Sequence, residues 1–235
     1  MTVDLGRRKL HDPRSRNFAY PVTRSTVDIG SRSITHRMDS DHLDQFYLGA
    51  CVGFSGAQLL NCRIAKKSRM VANTKSKRTA FDYGYMNNDD GIEFYSNSTL
   101  LDPFDWVYPP TDEGSSALGL MKSWQELGII RSYRWAFTFD QFLSALGKQP
   151  VLVGTNWYSG MSEPIRRNGR WLAVPGGTPQ GGHEYLATGI LGPSKLIRCE
   201  QSWGEGFYAK TFYITFDNMR WLLDQGGDVA VPELI

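Results

Sequence analysis

Two residues of this 235-residue chain are of types that could do nucleophilic chemistry together, and two carboxamides stand at suggestive places beside them. Cys51, in LDQFYLGACVGF, falls where a run of helical spacing begins. A thiol at a helix N-terminus meets the positive end of the helix dipole and unpaired backbone N–H groups, and both favour the nucleophilic thiolate. His183, in GGHEYLATGI, follows paired glycines and opens an apolar strand-like run, where a histidine can project into a cleft. Gln201, in CEQSWGEGFY, ends another strand-like run, and Gln45 precedes the cysteine in DQFYLGAC. Taken singly, each has a plainer reading. Cys51 would be a small buried apolar residue, His183 a structural histidine, Gln201 an ordinary strand exit and Gln45 a solvated loop residue.

The elements that must position these groups can be read from periodicity and breakers. Val52, Phe54, Ala57, Leu60 and Ile64 recur near helical spacing, so CVGFSGAQLLNCRIAKK reads as a helix with one apolar face, with Gly49 as the turn before it. DEGSSALGLMKSWQELGI reads as a helix opened by Ser115 and Ser116 and closed by Gly128. TFDQFLSALGK reads as a shorter one, capped by Thr138 or Asp140 and ended by Gly147. After Pro150, VLVGTNWY, HEYLATGIL, KLIRCEQSW and FYAKTFYITF are strand-like runs between Gly, Pro and Ser clusters. Helices first and strands afterwards predict an α+β fold of two lobes meeting along a cleft. Residues 1–40, polar and basic with short candidate strands, are expected to form an arm wrapping a body of residues 41–235. The helical lobe is placed at about 41–148 and the β lobe at about 149–235.

Composition narrows the class. Apolar residues make up 41%, charged residues 21%, and the chain has 24 glycines and 11 prolines, which excludes a disordered or low-complexity protein. A net charge of +2 gives no field suited to nucleic acid over the whole molecule. Residues 63–78 carry seven basic residues and no acid, whereas residues 82–113 carry eight acids and no base. These blocks read as solvated faces or as mutually satisfying surfaces of one lobe. Three cysteines make no disulfide framework, which fits a reducing compartment or a chain that does not depend on bridges. Cys62 is expected to pack inward, and Cys199 to be buried in its strand. His11, His36 and His42 show no metal-ligand spacing, so neither metal nor cofactor is expected. The glycines of PGGTPQGGH lack the strand–turn–helix context of a phosphate loop. No apolar stretch follows the basic N-terminus and no run is long enough to span a bilayer, so the expected compartment is the cytoplasm of the producing cell.

Order and spacing together say more than any one residue. Gln45, Cys51, His183 and Gln201 resemble the papain-like cysteine proteases, in which histidine and asparagine follow the nucleophile by about 130–150 residues. Here His183 and Gln201 lie 132 and 150 residues after Cys51. SSALGLMKSWQELGI, PVLVGTNWYSG and EQSWGEGFYAKTFYITFD resemble the family's second helical segment, the strand that opens its β lobe, and its NSWG segment with the closing strands. HDPRSRNF is similar to the short arm of single-domain prokaryotic and phage members. The resemblance implies a two-lobed fold, with a helical N-terminal lobe and an antiparallel, barrel-like C-terminal lobe. It further implies Cys51 as nucleophile and His183 as proton carrier. The Cys51 amide and the Gln45 side chain would hold an oxyanion. Gln201 would orient the imidazole, Trp203 would shield the pair, and Gly49, Ala50, Gly182 and Trp203 would line the substrate cleft.

Departures from the family pattern bear on activity. Gln201 stands where the family has asparagine, one methylene longer. Of the signature C-G-[SA]-C-[WY], Gly49, Ala50 and Cys51 match while Leu48 and Val52 do not. Glu200 is set aside because strand alternation turns it to the other face. The leading expectation is a thiol hydrolase that cleaves peptide bonds in a peptide or protein. The alternative is a papain-like structural or binding component of a larger assembly, such as a phage particle that holds the arm, with weak or no catalysis. A third reading keeps the nucleophile but changes the bond, as in an amidase or acyltransferase acting on cell-wall peptides. In an enzyme, residues 82–113 would shape the helical wall of the groove and their acids would favour a basic peptide. In a scaffold, the loop 156–175 would fill the cleft. The arm itself is short for an inhibitory domain but long enough to lie across the cleft.

Overall fold

A computed structural model describes residues 5–10, 12–22, 26–65 and 84–234. Most of the basic run 63–78, and His11, lie outside them. Helix α1 (Thr26–Ile29) is a single turn, followed by strand β1 (Ser33–Thr35). The helical layer then comprises α2 (Cys51–Asn61), α3 (Asn88–Leu101) and α4 (Ala117–Glu126). Further on come β2 (Ile130–Trp135), α5 (Phe139–Leu146), β3 (Val151–Tyr158), the short α6 (Ser159–Ser162), and the hairpin β4 (Ile165–Arg167) and β5 (Arg170–Leu172). Strands β6 (Pro179–Leu191), β7 (Leu196–Glu200) and β8 (Thr211–Thr215), helix α7 (Phe216–Asp224) and strand β9 (Asp228–Leu234) complete the chain.

The strands form one sheet in the open order β2-β9-β3-β6-β7-β8-β5-β4, with β1 added on β6. All its pairings are antiparallel except the single parallel contact of β5 with β8. Alternation along its central strands builds two cores. Val151, Val153, Tyr185 and Ala187 point into one, shared with α5 and α7, while Leu152 and Leu186 point into the other, shared with α2, α3 and α4. β6, thirteen residues long, is the axis on which both lobes are built.

Caps fix the helices much as their sequences predict. Ser116 Oγ accepts the Gly119 N–H at the start of α4, and Thr138 forms a capping box with Gln141 at the start of α5. α2 differs from its amphipathic expectation, since every residue from Cys51 to Asn61 is buried. It runs beneath β6 with α3 packed on its other side. Its helix ends before Cys62, which bridges to Met38 instead. α3 is the main departure, because sequence reading assigns no helix to 82–113. Its buried face mixes Phe94 and Tyr95 with the small or polar Gly91, Ser98 and Thr99, and Asn87 and Asp90 start it with a reciprocal capping box. β2, α7 and β9 are likewise beyond the sequence reading. Among the described residues, no helix is long and apolar enough to cross a membrane.

Candidate active site

Cys51 is the first residue of α2, at the seam where that helix meets β6. Ser55, one turn on, donates its hydroxyl to the carbonyls of both Cys51 (2.6 Å) and Glu184 (2.9 Å), pinning helix to strand. The Glu184 N–H in turn points at Cys51 Sγ, 3.4 Å away. The thiol therefore sits against the backbone of the residue that follows His183. The loop before it is tied by Gly49, whose N–H donates to the Asp112 carboxylate, itself held by the Tyr95 hydroxyl at 2.6 Å.

His183 is buried near the start of β6, with Trp157 and Trp203 packed on it at ring separations of 4.9 and 5.2 Å. Its Nε2–H donates to Gln201 Oε1 at 2.7 Å, so the extra methylene of glutamine does not prevent the contact. That bond leaves the Nδ1 lone pair as the ring's free position, and Nδ1 has no hydrogen-bond partner among the described residues. Gln45 ties the helical side to the loop after β7. Its Nε2 donates to the Leu48 carbonyl at 2.8 Å, and its Oε1 accepts the Ser202 hydroxyl at 2.6 Å. Ser202, Asp112 and Tyr95 are contributors that sequence reading missed, because nothing in their local sequence distinguishes them from other loop and helix residues.

The cleft is occupied, though not by the stretch 156–175, which forms the end of β3, α6 and the β4–β5 hairpin. The N-terminal segment Leu5–Arg8 runs through it. Arg7 N–H donates to the Gly182 carbonyl (3.0 Å), Ser115 N–H to the Gly6 carbonyl (2.8 Å), and Arg8 N–H to the Ser115 carbonyl (2.7 Å). The segment is thus an extra strand held from both lobes, and the Gly6 N–H is directed at the Cys51 sulfur. Glycines make the slot. A Cβ on Gly6 would land on the Gly49 carbonyl, and one on Gly182 would press on the Arg7 carbonyl. Gly114 holds a left-handed φ of 84° while touching Gly6.

Covering the site changes its electrostatics. Burial pushes the Cys51 thiol up to about 12, against the opposing pull of the Glu184 and Gly6 amides, and pushes His183 down to about 4. The expectation that the helix dipole makes Cys51 a thiolate does not hold in this closed form. Desolvation outweighs the dipole, and the two groups rest as neutral thiol and neutral imidazole.

Beside the thiol, Arg7 turns its side chain into the body, where Asp228 Oδ2 lies 3.0 Å from one terminal nitrogen and Glu184 Oε2 3.7 Å from Nε. Several acids of 82–113 have partners within the protein. Asp102 accepts from Ser115 and Ser116, Asp112 holds Gly49, and Glu113 pairs with Arg8 of the arm. Glu200 does point away from the site, to His42, Thr188 and Thr211, and His36 bonds the Leu146 carbonyl. Cys62 and Cys199 are buried thiols. Among the described residues, no three His, Cys, Asp or Glu side chains gather in a way that would hold a metal ion.

No family model matches the chain, and no curated protein matches its sequence. Solved structures do match. Xylellain, a cysteine protease from Xylella fastidiosa, aligns over 99% of this chain and 97% of its own, with a TM-score of 0.61 at 17% identity. Procathepsin L 3 from the larval midgut of Tenebrio molitor aligns over 98% of this chain and 76% of its own, at TM-score 0.53 and 15% identity. A cysteine protease of Carica candamarcensis covers 86% of this chain and 98% of its own, at TM-score 0.50 and 13% identity. At such identities the likeness is one of fold, and the fold of this chain is that of the papain-like cysteine proteases.

Proposed function

We propose that this chain is a thiol hydrolase that cleaves peptide bonds, held closed by its own N-terminal segment. The observation that carries the reading is the state of His183. Its Nε2 is committed to Gln201 and its Nδ1 is left without a partner, in the strand whose next amide touches Cys51 Sγ. Once the segment leaves, water reaches the pair and the thiol proton can pass to Nδ1. Cys51 Sγ then attacks the peptide carbonyl carbon, the Cys51 N–H and the Gln45 carboxamide stabilise the oxyanion, and His183 returns the proton to the departing amine. Water, deprotonated by His183, releases the acyl group and restores the thiol. Gln201 keeps the imidazole tautomer, and Trp203 keeps water from that bond. In this reading residues 1–40 are the arm, residues 41–235 the body, and the ligand a peptide or protein.

The occupied cleft also favours a second reading, a papain-like scaffold without turnover, because Gly6 fills the place of a substrate. Intact-mass labelling of the full chain with a thiol-reactive epoxide, from pH 5 to 8, separates the two. The test compares the parent with Gly6→Val, His183→Ala, and the double variant Gly6→Val/His183→Ala. A hydrolase gives slow labelling in the parent and fast single-site labelling of Cys51 in Gly6→Val, lost when His183 is removed. If the Gly6→Val thiol reacts at the rate of a free thiol and His183 makes no difference, the scaffold reading stands.

A further inference from the structure

The pocket beneath Arg7 has the composition of a recognition site. Arginine is rarely buried completely unless it is paired, yet the Arg7 side chain is 1% exposed. Its walls come from three strands of the body, Gly154 of β3, Glu184 of β6 and Asp228 of β9, with the Gly226 carbonyl 3.4 Å from a terminal nitrogen. Gly154 interrupts the run Val151–Thr155, where a β-branched residue would suit the strand better. Its reason is space, because a Cβ there would strike the guanidinium and both carboxylates. The pocket adjoins the candidate chemistry, since the same Glu184 gives its N–H to Cys51 and Arg7 is the neighbour of Gly6, which lies on the sulfur.

The occupant does not saturate its site. Arg7 Nε, both Glu184 oxygens and Asp228 Oδ1 have no hydrogen-bond partner among the described residues. A guanidinium carries five N–H donors in a fixed fork, and two flanking carboxylates match such a fork better than they match an ammonium. An extended peptide held between Gly182 and Ser115, as the segment is, would drop one side chain here.

We propose that the Gly154–Glu184–Asp228 pocket is a substrate pocket selective for an arginine side chain, and that Arg7 occupies it as an internal stand-in. The inference rests on the hydrolase reading and adds the substrate class: peptides with arginine at the position entering this pocket. An apolar side chain would leave two buried carboxylates unpaired, which is where discrimination is strongest.

The test uses the full chain carrying Arg7→Ala, with millimolar propylguanidinium as the probe and propylammonium as its control. Propylguanidinium is expected to raise the thermal midpoint of Arg7→Ala while leaving the parent unchanged, and propylammonium to do much less. Should Arg7→Ala fail to fold, refolding yield with and without propylguanidinium reads the same property. In blocked fluorogenic peptides differing only at the arginine position, kcat/KM of Arg7→Ala should favour arginine over leucine by about 100-fold or more. Adding Asp228→Asn should shrink that preference at least tenfold. Equal effects of the two probes, or a preference for leucine, would overturn the pocket. Cleavage without basic preference leaves the hydrolase standing and removes the pocket. Guanidinium-specific protection with no cleavage and no Cys51 labelling keeps the pocket as a binding site and removes the hydrolase.

Discussion

At the scale of single residues, burial favours the uncharged forms of Cys51 and His183, and this has a measurable signature. His183 is buried neutral, so between pH 6.5 and about 4 the unfolded chain carries a proton that the folded chain has shed. Stability from this group is intact above pH 6.5 and lost as pH falls toward 4, about 3 kcal/mol in all. Glu184, raised well above its ordinary value by burial and by Asp228 and opposed by Arg7, has the opposite sign. A raised carboxyl is protonated in the fold before it is in the unfolded chain, so acid favours the fold. The difference in urea unfolding free energy between parent and His183→Gln isolates the histidine, and it should change by about 3 kcal/mol from pH 6.5 to 4. A constant difference would mean that His183 is not held neutral. Gln201→Asn, measured in the Gly6→Val background, tests orientation separately. If the longer carboxamide limits the pair, labelling of Cys51 quickens and its pH dependence shifts, whereas slower labelling would show that the site is built around glutamine. At this scale the sequence was informative. Cys51 lies against the amide that follows His183, His183 bonds Gln201, and Gln45 bonds Ser202. The helix start at Cys51 and the apolar strand run from His183 are each marked by local pattern. Ser202 and Asp112 carry no such mark.

At the scale of elements, packing of helix on helix and of segment in slot depends on missing side chains. Gly53 of α2 meets the backbone of α3 at Gly91 and Tyr95, and Gly91 in turn faces the Phe54 ring. Gly53→Val should force the helices apart and cost about 1–3 kcal/mol in denaturant unfolding, more than a surface substitution at Glu93. If the cost is no larger than that of the surface change, the helices are not locked by this contact. Gly6→Val acts on the arm alone. It should leave far-UV dichroism unchanged and speed Cys51 labelling at least tenfold. Helices α4 and α5 were legible because Ser116 and Thr138 announce their starts. Helix α3 was not, since its buried face mixes Phe94 and Tyr95 with Gly91, Ser98 and Thr99, and the small and polar positions interrupt the apolar stripe. The sequence left open whether the arm lies in the cleft, because Glu184 and Asp228, the acidic partners of Arg7, are brought to it only by the fold.

At the scale of the molecule, the segment Leu5–Arg8 stitches the two lobes together by bonding Ser115 on one and Gly182 on the other. Releasing it need not unfold either core. Labelling of Cys51 in the parent should therefore accelerate at urea concentrations below the global transition, reporting a partial opening. Labelling that follows only the global transition would show that arm and body unfold as one unit. The two-lobed α+β plan was readable from helices preceding strands. The recruitment into the sheet of β1 and β2, which precede the strand-rich stretch after Pro150, was not, for short strands are defined by partners far along the chain.

The ion pair of Arg7 has one more implication, which concerns time. The guanidinium contacts Gly226, 219 residues further along the chain. Asp228 comes beside Gly154 only when β9 pairs with β3, so the pocket for Arg7 is incomplete until that long-range pairing is made. Contacts of such separation close late. Docking of the arm is therefore expected to follow closure of the central sheet, because Asp228 belongs to the strand that lies between β2 and β3.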